Sequence, residues 1–361
     1  MKIIERAWAA YARRREQEKT ESLRSIQNRD ILKIINALSP PALSKEEEEK
    51  IHHQWGRFPF QPYADEFRLY KLYAGFDARF VSQDLQYTFL YDALNPKYSR
   101  TVLSDKGMYG VWLHQMPQPA TVICRIGGVF FDSERKVIDT EKASRLLLSQ
   151  ERCIIKPILD TNQGKGIHIF TPQEKTISRV FEWGGSDFII QGIVGQSPVT
   201  AKFHSSSLNT FRVTTLFLNG VISVSSICFK FARGESQVDN LGHGGLIVGV
   251  EENGQFHDFG LDKDYQKCLT FNNGEKISEI CIPEVKKVVD FAKSFHPYYF
   301  PRIALVGWDI ALDSNNNPLL IEANLITPGI MAEQYCSQKP AYGDRTDEVI
   351  EYVLSKKRKR I

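Results

Sequence analysis

The chain has 361 residues, enough for two or three domains. With 42% hydrophobic and 11% aromatic residues it can bury a sizeable core, which excludes a disordered or low-complexity protein. Lys plus Arg number 46 against 43 Asp plus Glu, and a formal charge of +3 is too small an excess for a dedicated nucleic-acid binder.

Residues 1–38 read as helix, with apolar positions at Ile3, Ile4, Ala7, Trp8 and Tyr11, then Arg13-Arg14-Arg15, then Leu23, Ile26, Ile31, Ile35 and Leu38. Ser39-Pro40-Pro41 stops it. Ser44 before Glu46-Glu47-Glu48 reads as the cap of a second helix. Residues 56–118 are rich in aromatics without a matching basic cluster, which favours packed helices over base stacking. Gly107 to Leu113 opens a further helix. From residue 120 the texture turns to strand: 120–124, 153–157, 166–170, 188–191 and 211–218, then Asn219-Gly220 as a hairpin turn into 221–231. A helix is expected over 283–295, and strands over 304–312 and 319–323. No stretch approaches the roughly 18–20 apolar residues of a membrane span. Met1 to Arg15 lacks the apolar run of a secretory signal. The six cysteines are far apart and form no C-x-x-C pair, which points to reduced thiols and a cytoplasmic protein.

The segment from Val306 to Asn324 is the most informative. With a turn centred on Asn315 and Asn316, Ile310 faces Ile321, Leu312 faces Leu319, Ala311 faces Leu320 and Asp309 faces Glu322. One face is then apolar, and the other gathers Asp309, Glu322 and Asn324. Opposed carboxylates repel unless something intervenes. Two carboxylates and an amide oxygen make a hard-oxygen set suited to Mg²⁺. Gly307-Trp308 and Leu320 beside the acids point to a partly enclosed place, against a merely solvated face.

Lys156 sits inside an apolar strand, where a cation needs an anionic partner such as a phosphate. The loop that follows carries Gly164, Lys165 and Gly166, whose backbone N–H groups are suited to covering phosphate oxygens. Neither the P-loop nor the G-x-G-x-x-G fingerprint is present. Arg212, on another strand, reads either as a phosphate clamp or as a surface arginine paired with an acid.

Taken in order, Ser104-Asp-Lys106, Ile155-Lys-Pro157, Gly164-Lys-Gly166, Asn209-Thr-Phe-Arg-Val213, Val238-Asp-Asn-Leu-Gly-His-Gly-Gly245, Val306-Gly-Trp-Asp-Ile-Ala311 and Leu320-Ile-Glu-Ala-Asn324 resemble an ATP-grasp enzyme. The resemblance is to the sugar-transfer-associated ATP-grasp group, found near genes for capsule and cell-wall polysaccharide synthesis. It implies an α+β protein with the ATP-grasp fold: two α+β subdomains gripping ATP, preceded by a helical N-terminal arm and domain. The implied division is an arm at 1–43, a helical domain at 44–118, a small subdomain with the glycine loop at 119–195, a large subdomain with the Mg²⁺ site at 196–340, and a C-terminal helix and basic tail at 341–361.

The same resemblance implies residue roles. Lys106, Lys156, Gly164, Lys165 and Gly166 would contact ATP, and Gln191, Gly192, Ile193 and Val194 would form the hinge whose backbone meets adenine. Arg212, Lys230 and Arg233 would be the catalytic cations. Asn209, Asp239 and Asn240 would bind substrate, and Asp309, Glu322 and Asn324 would hold Mg²⁺. The sequence departs from the group at Gln191-Gly192-Ile193, which lacks an acid for ribose, and at Lys230 and Ala232, where arginine and glycine are expected.

The implied activity is an ATP-dependent carboxylate–amine ligase working through an acylphosphate on a surface-polysaccharide sugar or precursor. Its partners would be a small-molecule carboxylate and an amine, with no nucleic acid. One alternative is a phosphotransferase on the same scaffold, with His204 or His243 as base. Another is a non-catalytic protein at the inner membrane surface, using the arm and Lys356 to Arg360 as a peripheral contact.

Overall fold

The computed structural model describes residues 2–159, 166–234, 244–271 and 273–358. Gly164, Lys165, Asp239, Asn240 and His243 lie outside the described residues.

Helix α1 spans Lys2–Leu38. It ends where the prolines require: Ser39 adopts a φ of 49°, and its N–H donates to the Ile35 carbonyl at 2.7 Å. Helix α2 (Lys45–Trp55) starts on a reciprocal cap. The Glu47 N–H donates to Ser44 Oγ and the Ser44 N–H to the Glu47 carboxylate. Helix α3 (Asp65–Ala74) follows, then three abutting turns, Gln83–Leu85, the π-helical Gln86–Leu90 and Tyr91–Leu94. The aromatic run packs as expected, with Trp55, Phe67, Tyr70, Phe80 and Tyr91 buried. The helix expected over 107–113 is a 3-10 turn, Lys106–Met108, and one α turn, Tyr109–Trp112.

Two antiparallel sheets follow. The smaller contains β1 (Thr121–Ile126), β2 (Val129–Asp132), β3 (Val137–Ile138), β4 (Cys153–Pro157), β5 (His168–Phe170) and β6 (Phe188–Gly192), in the order β3-β2-β1-β6-β4-β5. Ile123, Ile155, Phe188 and Ile190 on one face pack against helices Thr140–Leu148 and Glu174–Gly184. The opposite face carries Cys124, Lys156, Ile189 and Gln191, because side chains alternate along a strand.

The larger sheet contains β7 (Thr210–Leu218), β8 (Val221–Phe231), β9 (Leu246–Val250), β10 (Phe256–Leu261), β11 (Lys267–Cys268), β12 (Leu305–Leu312) and β13 (Pro318–Asn324), in the order β11-β10-β9-β8-β7-β12-β13. Asn219 and Gly220 turn β7 into β8 with φ of 51° and 79°, the left-handed pair that a two-residue hairpin demands. Helix Val285–Tyr299 covers one face through Val285, Val288, Val289 and Ala292, the positions its spacing predicts.

The amino-terminal helices and the last helices cover the other face together. Ile31, Ile35, Trp55, Tyr70, Tyr335, Val349 and Val353 share one core with Leu216 and Leu305 of the sheet. Among the described residues no helix is long and apolar enough to cross a membrane.

Candidate active site

The β12–β13 hairpin brings the expected acids together by a route the sequence did not suggest. The turn is not a two-residue turn on Asn315 and Asn316. Leu312 pairs with Pro318, and the residues between form a longer loop templated by Asp313, whose Oδ1 accepts the Asn315 and Asn317 N–H groups at 2.8 Å each. Ile310 therefore faces Leu320, not Ile321; Ala311 faces Leu319, not Leu320; Leu312 faces Pro318, not Leu319. A bulge at Ile321 absorbs the one-residue slip, so Asp309 faces Glu322 and Gly307 faces Asn324.

The expected enclosure by Trp308 and Leu320 does not form. Both are buried in the core under helix Val285–Tyr299, on the far face from Asp309, and Trp308 Nε1 donates to Thr215 Oγ1 at 2.8 Å. Gly307 has a different use. A Cβ there would lie 2.2 Å from the Pro328 carbonyl, so its absence lets the chain after β13 fold back beside Asp309.

Cations ring the acids. Arg212 on β7 is the register partner of Asp309 and meets it side-on, Nε to Oδ1 at 2.9 Å and Nη2 to Oδ2 at 2.9 Å. Lys230 on β8 adds a contact to Oδ1 at 2.8 Å, and Asn324 Nδ2 donates to Oδ2 at 3.1 Å. Burial alone would raise the Asp309 pKa, but Arg212 and Lys230 hold the carboxyl well below the usual range. Glu322 Oε1 pairs with Lys106 Nζ at 2.9 Å. Lys106 itself is fastened beside the small sheet, its N–H donating to the Ile158 carbonyl just past β4 at 3.2 Å. Lys106 thus spans from the small sheet to the large one.

Lys156 on the inner face of β4 donates to Gln191 Oε1 at 3.1 Å. Burial, reinforced by nearby Lys106 and partly offset by Glu322, pushes its pKa down to about 8. Two cations attached to the small sheet and two on the large sheet therefore face two opposed carboxylates. Such a site suits a polyanion bound together with a hard metal ion.

The remaining expected residues take other positions. The Gly192 N–H donates to the Ala120 carbonyl at 3.0 Å, and the chain through exposed Ile193 and half-buried Val194 leads from the small sheet to Gln196, bridged to Asp313 in the large-sheet loop. Asn209 is fully buried, and its Nδ2 donates to the Thr200 and His204 carbonyls. Arg233 reaches toward Cys268 on β11. Gly166 keeps a φ of 76°, with Pro157 against the place of its absent Cβ. Both ring nitrogens of His204 are engaged, Nε2 with the Gly234 carbonyl and Nδ1 with Ser207, as in a loop tie.

One site residue escaped the sequence reading. Glu333, on helix Met331–Ser337, places Oε1 3.2 Å from Arg212 Nη1. Among the described residues no cluster of three or more His, Cys, Asp or Glu could hold a metal, so a metal here would rest on Asp309, Glu322 and the Asn324 amide. Asp309 and Glu322 face each other across one strand pair, and Asn324 turns its Nδ2 to Asp309, so the donor types, two carboxylates and an amide, fit Mg²⁺ in kind.

Residues 177–345 match the sugar-transfer associated ATP-grasp family, which bears out the resemblance over that segment, a little under half of the chain. Arg212, Lys230, Asp309, Glu322 and Asn324 fall inside the match; Lys106 and Lys156 precede it. The comparison with curated protein sequences finds no match. Among solved structures, D-alanyl-alanine synthetase A from Vibrio cholerae O1 biovar eltor str. N16961 is similar at 12% identity and a TM-score of 0.41, over 73% of this chain and 65% of its own. VanG D-Ala:D-Ser ligase from Enterococcus faecalis gives 10% and 0.43, over 71% and 62%. The ATP-grasp ligase PsnB, complexed with a phosphomimetic variant of its minimal precursor, Mg and ADP, gives 13% and 0.38, over 72% and 61%. The chain thus spans less than two thirds of the length of each of these proteins. The fold is α+β, with two antiparallel sheets and a helical amino-terminal region, and its residues 177–345 carry the ATP-grasp match.

Proposed function

We propose, from the sugar-transfer associated ATP-grasp match over residues 177–345, that the protein is an ATP-dependent ligase joining a carboxylate to an amine. One observation carries this reading: Asp309 and Glu322 face each other on adjacent strands within a ring of Lys106, Lys156, Arg212 and Lys230. Such an arrangement suits a charged phosphate chain.

In the proposed reaction a substrate carboxylate oxygen attacks the γ-phosphorus of ATP. The bond from that phosphorus to the β–γ bridging oxygen breaks, and ADP leaves. The amine nitrogen then attacks the acyl carbon, phosphate departs with the C–O electrons, and the nitrogen loses a proton. Catalysis of this kind rests on positioning and charge neutralisation. Lys106 and Lys156 hold phosphates from the small-sheet side, and Gly164, Lys165 and Gly166 cover them. The backbone of Gln191 to Val194 meets adenine. Arg212 and Lys230 take up charge on the transferring phosphoryl group. Arg233, Asn209, Asp239 and Asn240 belong to the substrate end. Asp309, Glu322 and Asn324 would hold Mg²⁺, which supplies neutralisation of phosphate charge. In keeping with the family's association with sugar transfer, one substrate is a surface-polysaccharide sugar or precursor and the other an amino acid or amine, and the protein acts in the cytoplasm or against the inner face of the membrane.

The test is turnover of ATP and Mg²⁺ against a panel of uronic acids combined with amino acids and amines, reading ADP, AMP and phosphate. ADP and phosphate released only with both acid and amine present is the expected result. A phosphorylated product formed without amine points to phosphotransfer instead. Absence of both turnover and ATP binding, in wild type as in Asp309→Ala, overturns the catalytic reading.

A further inference from the structure

We infer that Glu333 is a positioning residue that keeps Arg212 aimed when Asp309 turns to another partner; this deepens the proposed function and rests on it. A guanidinium has five N–H donors in a fixed plane. In this site four are committed: Nε and Nη2 each give one to Asp309, and Nη1 gives one to the Pro328 carbonyl and one to Glu333, both at 3.2 Å. The two edges of the group therefore have different partners. The Nε–Nη2 edge faces the carboxylate that also faces Glu322, and the Nη1 corner is anchored away from it.

To meet phosphate through two parallel N–H groups, Arg212 has to release the edge that now lies on Asp309. With that edge released, Glu333 and Pro328 remain its hydrogen-bond partners among the described residues. Without them a side chain with four rotatable bonds would be free to swing, and the entropy of fixing it would be lost at each encounter with a ligand. Glu333 also supplies charge. Arg212 and Lys230 balance Asp309 and Glu333, so the cluster stays neutral while Asp309 is paired and keeps one acid on Arg212 afterwards.

The chain is built for this contact. Gly329 has a φ of 80°, and a Cβ there would lie 2.5 Å from Glu333 Oε1 and 3.1 Å from Arg212 Nη1. A side chain there would displace the pair from its present place, and the positive φ favours glycine. Helix Met331–Ser337 is itself held from behind. Gln334 Nε2 donates to Tyr70 Oη at 2.9 Å and to the Val81 carbonyl at 3.0 Å, and Gln83 contacts Met331 Sδ. The amino-terminal helices thereby set the place of Glu333, and through it the place of Arg212.

The test compares Mg²⁺-dependent binding of ADP and AMPPNP by calorimetry in wild type, Glu333→Ala and Glu333→Gln. A guanidinium positioned at the transferred end of the nucleotide makes AMPPNP bind more tightly than ADP. In Glu333→Ala the AMPPNP affinity is expected to fall about tenfold more than the ADP affinity, about 1.4 kcal/mol of lost discrimination. Glu333→Gln keeps an acceptor oxygen and is expected to restore part of it. Equal losses for both nucleotides would mark Glu333 as a prop for the fold and overturn the inference, as would no change in either. A wild type that binds both nucleotides without preferring AMPPNP overturns the aim assigned to Arg212 and leaves the ligase reading standing. A wild type that binds neither removes the ligase reading itself.

Discussion

Lys156 is a cation with an amide for its hydrogen-bond partner and a second lysine nearby, an arrangement that burdens the fold. Burial and Lys106 bring its pKa down to about 8 from 10.5. Unfolding returns it to the ordinary value, so between about 8 and 10.5 the unfolded chain holds the extra proton. Stability therefore rises with pH across that window as far as Lys156 contributes, and below about 8 the penalty for the buried charge is present in full. Lys156→Met removes the penalty and the slope. It is expected to raise the melting temperature at pH 7, to flatten the stability profile from pH 8 to 10, and to weaken Mg²⁺-dependent ADP binding. Such an exchange of stability for a ligand's charge is usual at functional sites. Thermal melts across that pH range, with calorimetry on the same samples, check it; a lower melting temperature at pH 7 would show that Lys156 stabilises the unliganded protein.

Asn95 shows how elements are locked across the chain. It is fully buried after the Tyr91–Leu94 turn; its Nδ2 donates to the Leu305 and Leu325 carbonyls at 2.7 and 2.8 Å, and its Oδ1 accepts the Leu305 N–H at 3.0 Å. One side chain thus ties the helical layer to the start of β12 and to the residue just past β13. Asn95→Ala orphans three buried backbone groups and is expected to destabilise by about 3 kcal/mol in urea titration, at roughly 1 kcal/mol or more each. A loss under about 1 kcal/mol would mean that water replaces the amide. Nothing near Asn95 in the sequence announces this, because its partners are more than two hundred residues away. Glu333 was missed for the same reason. The Ser44 cap and the Asn219-Gly220 turn were legible because their signals lie within a few neighbouring residues. The acid pair was legible for a subtler reason. The turn is one register step from the one expected, and the bulge at Ile321 cancels that step before Asp309 is reached. Alternation carried the pairing at the site while misplacing Leu320 and Ile321.

At the scale of the whole molecule, α1 is held by its second half. Arg24 lies 3.7 Å over the Phe60 ring and 4.6 Å over that of Tyr63, donates to Asp84 at 3.0 Å and to the Gln61 carbonyl, and Ile31 and Ile35 are buried in the shared core. Upstream, Arg14, Arg15 and residues 17–19 are exposed. Exposed side chains bury little apolar surface, so these positions add little to the stability of the body. Removing residues 1–19 is therefore expected to leave the melting temperature within about a degree of the full chain. Removing residues 1–38 strips the buried Ile31 and Ile35, worth roughly 1.5–3 kcal/mol each, together with the Arg24 clamp, and is expected to lower the melting temperature by several degrees or prevent folding. Because Ile31 and Ile35 share their core with Tyr335, two residues from Glu333, the longer deletion is expected to disturb nucleotide binding as well, and the shorter one to leave it intact. A comparable thermal loss from both deletions would show that the first half of the arm packs on the body, and α1 would then be a structural part along its whole length.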